Sequence, residues 1–450
     1  MTTHTVAPVD HRNAALALRR LALPGALSLA ADQLLGIADT MVIGVFGAPA
    51  LAAITAGASV FLALLIPLFA FNAGPRIMGA QAVGAGDMVR FGRVVRASAV
   101  VPLAIAALLI VATLFGARPL MGWILAGAPH AGEAATYVIL RALSLLPIIV
   151  SGTAIAAFGA AGDTALSLRA LVVINAVHIP LLVILALGVG THHPLGIVGA
   201  GISSLLSEIA GAVYCTVQMR RRPELRILAS ADVDMRVARA TFFLGLPEFV
   251  FLILMVVPDP ITIALLAPLG VTMVAAYRAL SIVNDIMWAF PGSLGETTQI
   301  VVGQRLGAHD VAGARFFAAD AQRIGLVTCT IVGVVVAIAA KPLAQLFTLN
   351  ATLAAIAAGP LALHMMTAPL KGYGMTSLAP IRASGDTRFS MWLGLITGSI
   401  GLGGIALGLA VLHLGLWSVP LAWILAWSVR VIVTRFRLRT GEWEVRRLAA

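Results

Sequence analysis

Acidic side chains stand inside apolar sequence at Asp32, Asp39, Glu208, Glu248, Asp259, Asp285 and Glu296, with Arg141, Arg278 and Lys371 as the basic groups set against them. An ionised group in hydrocarbon costs several kcal/mol unless it is paired or hydrated, so each is a candidate for function rather than packing. A carboxylate in such a place can take up and release a proton, or hold a cation together with other oxygens. Asp32 and Asp39 are seven residues apart, and at about 100° per residue they fall within about 20° of each other on one helix face. They can serve one cavity. Arg278 and Asp285 have the same spacing, so an internal balance of charge within one helix is expected. Lys371 shares a face with His364, seven residues earlier, and can meet Asp259 or Asp285 across the bundle. It then acts as a charge pair holding helices together, as a substitute for a bound cation, or as a contact for an anionic group on a solute.

Other chemistry is poorly served. Cys215 and Cys329 are the only cysteines, each within an apolar helical stretch, and they build neither a disulfide framework nor a CxxC metal site. A membrane-embedded prenyl transferase would show a loop motif such as DDxxD, and the sequence has none. No catalytic residue, metal site or cofactor is assigned; the expected coupling ion is the proton.

The elements that must position these groups are membrane helices. Hydrophobic residues make up 60% of 450 positions and charged residues 11%, a composition outside the range of soluble globular chains. Apolar runs long enough to cross ~30 Å of hydrocarbon lie near 21–47, 51–77, 94–116, 132–160, 165–189 and 195–219. Six more lie near 240–267, 271–302, 318–340, 352–382, 388–413 and 416–437. The predicted fold class is therefore an all-α integral membrane protein of twelve transmembrane helices in two pseudo-symmetric six-helix bundles. The formal net charge of +11 comes largely from arginines in the short gaps between runs, without aromatic interleaving, which excludes nucleic acid as the expected partner. Arginines cluster before the first span, after the second, between the sixth and seventh, after the eighth and at the end of the chain. By the positive-inside rule both termini are cytoplasmic and the protein is a multi-pass protein of the inner (plasma) membrane. Residues 1–20, with no small-residue cleavage site before the first apolar run, read as a cytoplasmic segment leading into a retained helix.

A shift of 223 positions superposes the second half on the first. It lays Leu23-Pro24 on Leu246-Pro247, Gln81, Gly84, Ala85 and Asp87 on Gln304, Gly307, Ala308 and Asp310, and Gly162-Asp163-Thr164 on Gly385-Asp386-Thr387. The chain divides accordingly into an N-lobe over 21–219, a cytoplasmic linker over 220–239, a C-lobe over 240–437 and a tail over 438–450. Six helices per copy give both copies the same sense in the bilayer, and pseudo-symmetric lobes of this kind bind a solute between them and expose it alternately to either side. The copies differ in chemistry: the shift pairs Asp39 with Thr262, Asp32 with Met255, Asn175 with Gly398 and Lys371 with Ile148.

The ordered motifs resemble the multidrug and toxic compound extrusion (MATE) transporters over nearly the whole chain. They are Leu23-Pro24 opening the first span, Asp39-Thr40 followed by Gly44 and Gly47, and Gly84-Ala85-Gly86-Asp87 after the second. Val302-Gly303-Gln304-Arg305-Leu306-Gly307-Ala308 and Arg382-Ala383-Ser384-Gly385-Asp386-Thr387 follow in the second half. The resemblance implies an antiporter that exports organic, mostly cationic compounds in exchange for protons or sodium ions, acting as a monomer on small-molecule substrates within the lipid bilayer. Asp39 matches the family's first-span aspartate of the N-lobe cation site. Asn175 fits the asparagine that joins it from the fifth span, Ser203 or Ser204 can supply the hydroxyl from the sixth, and Glu208 lies one turn beyond Ser204. Where the family places an acid or amide four residues after that asparagine the chain has Ile179, with His178 beside it. The expected coupling set is thus Asp39, Asp32, Asn175, Ser204 and Glu208, and His178 either titrates, donates, or packs with a single hydrogen bond. Glu208 is either a second carrier or a partner of Arg141.

The C-lobe lacks the family's second cation site, since Met255 and Lys371 stand where some members carry acids. Pro24 and Pro247 occupy equivalent places and are expected as hinges, whereas Pro258-Asp259-Pro260 has no counterpart in the first copy. A sodium-coupled exporter or a flippase of lipid-linked precursors would share this architecture; the flippase would carry an arginine-rich cavity rather than an acidic one.

Overall fold

The structure is a computed structural model and describes residues 14–128, 130–190, 193–222, 233–348 and 351–445. It is all-helical among these residues. The first copy contains α1 (Ala14–Gly44), α2 (Ala48–Phe71), a π turn (Pro75–Gly79), α3 (Ala80–Gly84), α4 (Met88–Ile124), α5 (Ala131–Leu143), α6 (Leu145–Ala160), α7 (Ala165–Leu187) and α8 (Gly196–Arg220). The second contains α9 (Met235–Val256), α10 (Pro258–Leu266), α11 (Val271–Gly307), α12 (Val311–Ile338), α13 (Ala340–Thr348), α14 (Ala351–His364), α15 (Thr367–Ala383), α16 (Thr387–Ala410), α17 (Ser418–Arg439) and α18 (Glu442–Val445).

Among the described residues nine helical spans are long and apolar enough to cross a membrane, and α14 with α15, bent by 41° at their junction, makes a tenth. The long helices α1 and α11 complete the twelve expected spans. Several spans are broken where the sequence dictates it. Pro75 has no backbone N–H to complete an α-helical turn, and the chain widens there into the π turn before α3 continues the same span. Pro258 likewise opens α10 after the break at Val257, so the Pro-Asp-Pro segment divides one span of 35 residues. Outward-facing Phe115, Trp123, Ile331 and Ile338 are exposed, an apolar surface of the kind lipid covers. Of the proposed linker, residues 223–232 lie outside the described residues, as do 446–450 of the tail.

The shared motifs are helix starts. Asp87 Oδ1 accepts from Arg90 N at 2.8 Å, Asp310 Oδ1 from Gly313 N at 2.7 Å, and Asp386 Oδ1 from Phe389 N at 3.4 Å. These carboxylates cap α4, α12 and α16 and satisfy N–H groups that have no partner within the helix.

The described chain forms two compact units. Among the described residues, one comprises those within 14–26, 80–86 and 250–445, and the other those within 27–79 and 87–249. In the first, Leu18 and Ala22 pack with Leu294, Val301 and Ile324, and a larger core gathers Leu280, Leu361, Met365, Ile405 and Val419. Gly84 and Gly307 touch the backbone of this unit reciprocally. A Cβ on Gly84 would lie 1.8 Å from the Gln304 carbonyl oxygen, and one on Gly307 would lie 2.0 Å from that of Gln81. Gln81 is the repeat equivalent of Gln304, and Gly84 of Gly307, so each residue meets the mate of its own equivalent, as a local two-fold relation requires. In the second unit the cores are Ile43, Ile54, Met121, Tyr137, Val138, Leu182 and Ile197, and Phe61, Leu68, Leu145 and Ile149.

Candidate functional site

α1 and α7 bring Asp39 and His178 together: His178 Nε2 lies 2.8 Å from Asp39 Oδ1. His178 is 2% exposed and the Asp39 side chain 21%, so a buried imidazole meets a carboxylate that keeps partial access. The other ring nitrogen, Nδ1, lies 3.4 Å from Ser207 Oγ of α8. The Ser207 hydroxyl donates to the Ser204 carbonyl at 2.9 Å. With that proton committed, Ser207 presents lone pairs to Nδ1, and an imidazolium donating at both nitrogens satisfies the whole chain of contacts. A turn of the Ser207 hydroxyl toward Nδ1 satisfies the neutral ring instead. A rotation of the Ser207 hydroxyl is thus enough to match either arrangement of the ring's hydrogen bonds.

The remaining expected residues divide. Asn175 lies on α7 one turn before His178, and its Oδ1 is buried without a hydrogen bond among the described residues. Ser204 serves through its carbonyl; the hydroxyl facing the histidine belongs to Ser207, three residues further, which its serine type alone did not distinguish. Asp32 lies in α1, but its side chain is outside the described residues. Glu208 is partly buried on α8. Arg141 does not pair with it: its guanidinium stacks over the Phe61 ring with Cζ 3.7 Å from the centroid, a desolvated cation taking an aromatic face in place of a carboxylate.

In the second copy the charge pairs differ from expectation. Arg278 Nη1 binds Asp259 Oδ2 at 3.1 Å, and Tyr277 donates to Asp259 Oδ1 at 2.7 Å. Arg278 thus forms its direct ion pair across helices with Asp259; seven residues rise about 10.5 Å along a helix, beyond ion-pair reach, and Asp285 feels the Arg278 charge at longer range. Lys371 meets neither Asp259 nor Asp285 directly. Its Nζ donates to Asn284 Oδ1, which His364 Nε2 also approaches at 3.1 Å, while Asn284 Nδ2 reaches Asp285 Oδ1 at 3.4 Å. Lys371 and His364 stand on either side of the bend between α14 and α15, and a neutral amide joins them. Asn284 escaped notice because charge was the signal followed. Arg430, an arginine within the last span, is a further intramembrane base that the tally of Arg141, Arg278 and Lys371 omits.

Pro24 lies inside α1 and Pro247 inside α9. Beside Pro24, Ser293 Oγ donates to the Ala22 carbonyl at 2.7 Å, tying a turn that the proline loosens.

Among known proteins the chain is similar to the multidrug resistance protein NorM of Vibrio vulnificus, with 24% identity over 348 residues covering 76% of this chain and 75% of that one. Its fold matches solved structures. A MOP superfamily transporter from Pyrococcus furiosus aligns with a TM-score of 0.86 at 18% identity, over 97% of this chain and 99% of that one. The Vibrio cholerae MATE transporter VcmN aligns with a TM-score of 0.86 at 20% identity, over 96% and 99%. The two-lobe, twelve-span architecture is that of these transporters. The MatE family model matches residues 24–184 and again 247–407, one match per copy with the same 223-residue spacing found in the sequence, and the chain belongs to the MatE family, whose members are transporters and not enzymes.

Proposed function

We propose that the protein is a secondary antiporter that exports organic, cationic or amphipathic compounds in exchange for protons, coupled through Asp39 and His178. The observation that carries this reading is the 2.8 Å contact between His178 Nε2 and Asp39 Oδ1. A cationic solute and a proton compete for the same carboxylate, so solute release accompanies proton uptake and inward proton flow drives export. An imidazole N–H directed at the carboxylate occupies a position that a sodium ion's oxygen ligands would need, which favours the proton over sodium. The name of the Vibrio vulnificus relative, a multidrug resistance protein, supports a broad range of small organic substrates. Bending of α1 near Pro24 on protonation of Asp39, with Pro247 as its counterpart, supplies the conformational step in this proposal, and the protein works as a monomer in the inner membrane with both termini cytoplasmic.

The test is a counterflow screen of cationic, zwitterionic and anionic solutes in proteoliposomes under imposed proton or sodium gradients. Uptake of cations driven by a proton gradient is expected. Transport confined to anions, or driven by sodium alone, overturns the proposal.

A further inference from the structure

Asp285 and Lys371 share one amide. Asn284 Nδ2 donates to Asp285 Oδ1 at 3.4 Å, and Asn284 Oδ1 accepts from Lys371 Nζ and from His364 Nε2, the latter at 3.1 Å. Two donors at the oxygen and a carboxylate at the nitrogen fix the amide's orientation. Lys371 is 7% exposed, and no carboxylate of the described residues stands within ion-pair distance of it. Asp285 is exposed. His364 adds no charge: with Nε2–H given to Asn284, a second proton would sit on Nδ1, which is buried and has no acceptor among the described residues.

The chain has 28 arginines and two lysines, Lys341 and Lys371. Among the described residues the buried lysine and arginine side chains are Lys371, Arg382 and Arg430, and of these only the lysine can release its proton. The titratable groups that act on Lys371 are Asp285 of α11, His364 of α14 and the Cys329 thiol of α12; on α17, which also packs on α15, the charge of Arg430 falls on Arg382. Arg278 and Asp259 form their own ion pair at 3.1 Å. The carboxylate left to balance the ammonium is Asp285, one amide's width away.

A buried ammonium whose one contact is a neutral oxygen depends on that more distant charge. A solute cation reaching the exposed side of Asp285 takes the charge for itself, and in a low-dielectric setting one carboxylate does not compensate both. The Lys371 N–H bond then breaks, its electron pair stays on Nζ and the proton goes to solvent, so the net charge of the group is the same before and after. Asp39 and His178 have the same arrangement, a carboxylate with partial access and a buried titratable nitrogen behind it. The 223-residue shift lays Asp285 on Leu62 and Lys371 on Ile148, so the second pair is not a repeat of the first. We propose that Asp285, Asn284 and Lys371 form a second proton-exchange site, in which an organic cation bound at Asp285 displaces a proton from Lys371. This rests on the proton-exchange reading above and extends it to the second copy. Loss of either exchange stops transport and leaves the other measurable as binding.

The test titrates full-length protein in weakly buffered detergent solution with ethidium and, separately, tetraphenylphosphonium, while a pH indicator records released protons. Asp39→Asn silences the first site. Saturating cation is expected to release about one proton per molecule of Asp39→Asn protein, and adding Lys371→Met or Lys371→Arg is expected to abolish that release. The two lysine replacements separate exchange from packing. Methionine removes the competing charge and arginine holds it at every pH, so the arginine variant is expected to bind the cation about tenfold more weakly than the methionine variant. Should either fail to fold, Asp285→Asn, at an exposed position, is expected to abolish the release by removing the contact for the cation. Protons released by the parent protein but not by Asp39→Asn overturn the inference and leave the Asp39 reading standing. Release that persists in the Lys371 or Asp285 variants, or equal affinity in the two lysine variants, does the same. A parent protein that binds neither cation, or binds without releasing a proton, overturns the Asp39 reading and the inference with it.

Discussion

The imidazole of His178 stands between two helices of the first copy, with Nε2 2.8 Å from Asp39 Oδ1 and Nδ1 3.4 Å from Ser207 Oγ. The carboxylate is partly accessible and its partner is not, so a proton or a cation reaching Asp39 meets a group whose hydrogen bonding is already set from behind. That asymmetry suits exchange. The carboxylate can trade ligands on its open side while the histidine holds its orientation.

His178→Ala is expected to lower proton-driven exchange by about tenfold or more, the equivalent of losing one charge-assisted hydrogen bond. His178→Gln retains a donor for Asp39 but cannot carry the proton. It should recover the thermal stability lost in His178→Ala without recovering exchange. Full recovery of exchange by glutamine would assign His178 a purely positional role.

Gly84→Ala and Gly307→Ala each force a methyl group into a carbonyl oxygen, at 1.8 and 2.0 Å before relaxation. Backbone on both sides leaves little freedom to yield, and each is expected to destabilise the protein by about 3 kcal/mol, the upper end of overpacking costs. Gly122→Ala, inside α4 and with nothing within 4 Å of its Cβ, is the control and should leave Tm unlowered, or raise it slightly, as alanine in a helix does. Equal Tm values for all three would show that the reciprocal contact is looser than the geometry requires.

Asn284 joins Lys371, His364 and Asp285. Asn284→Leu strands the Lys371 ammonium and should cost about 3 kcal/mol, whereas adding Lys371→Met removes the stranded charge and should restore most of the loss. A double-mutant cycle in detergent solution reads the coupling directly. Additive effects would mean that Lys371 draws its compensation from elsewhere.

The twelve spans and the repeat were legible in the sequence because lipid imposes long apolar runs and because duplicated turns keep their glycines and capping aspartates, as at Asp87, Asp310 and Asp386. Asp39 was legible because a carboxylate in apolar sequence stands out against its cost. The partners were not. Helical periodicity fixes the face on which a side chain lies but not the neighbour that face meets, so the charge balance of Arg278 with Asp285 on one helix could be read but the direct contact of Arg278 with Asp259 could not. Ser207 was hidden among equivalent serines, and Asn284 because a neutral amide carries no charge signal. The break at Val257 was visible in Pro258 and Pro260 that follow it, and the junction between α5 and α6 at Ser144 in Pro147, which has no N–H to continue the helix back to Leu143.

The most direct measurement compares parent and Asp39→Asn proteins in proteoliposomes, recording the export of a fluorescent organic cation and the accompanying proton flux under an imposed pH gradient. Asparagine preserves the shape of the side chain and can still contact His178, but it cannot bind and release a proton. Coupling through Asp39 predicts that Asp39→Asn folds, retains solute binding within a fewfold and loses proton-driven exchange. Exchange at the parent rate, with the parent proton flux, would contradict it.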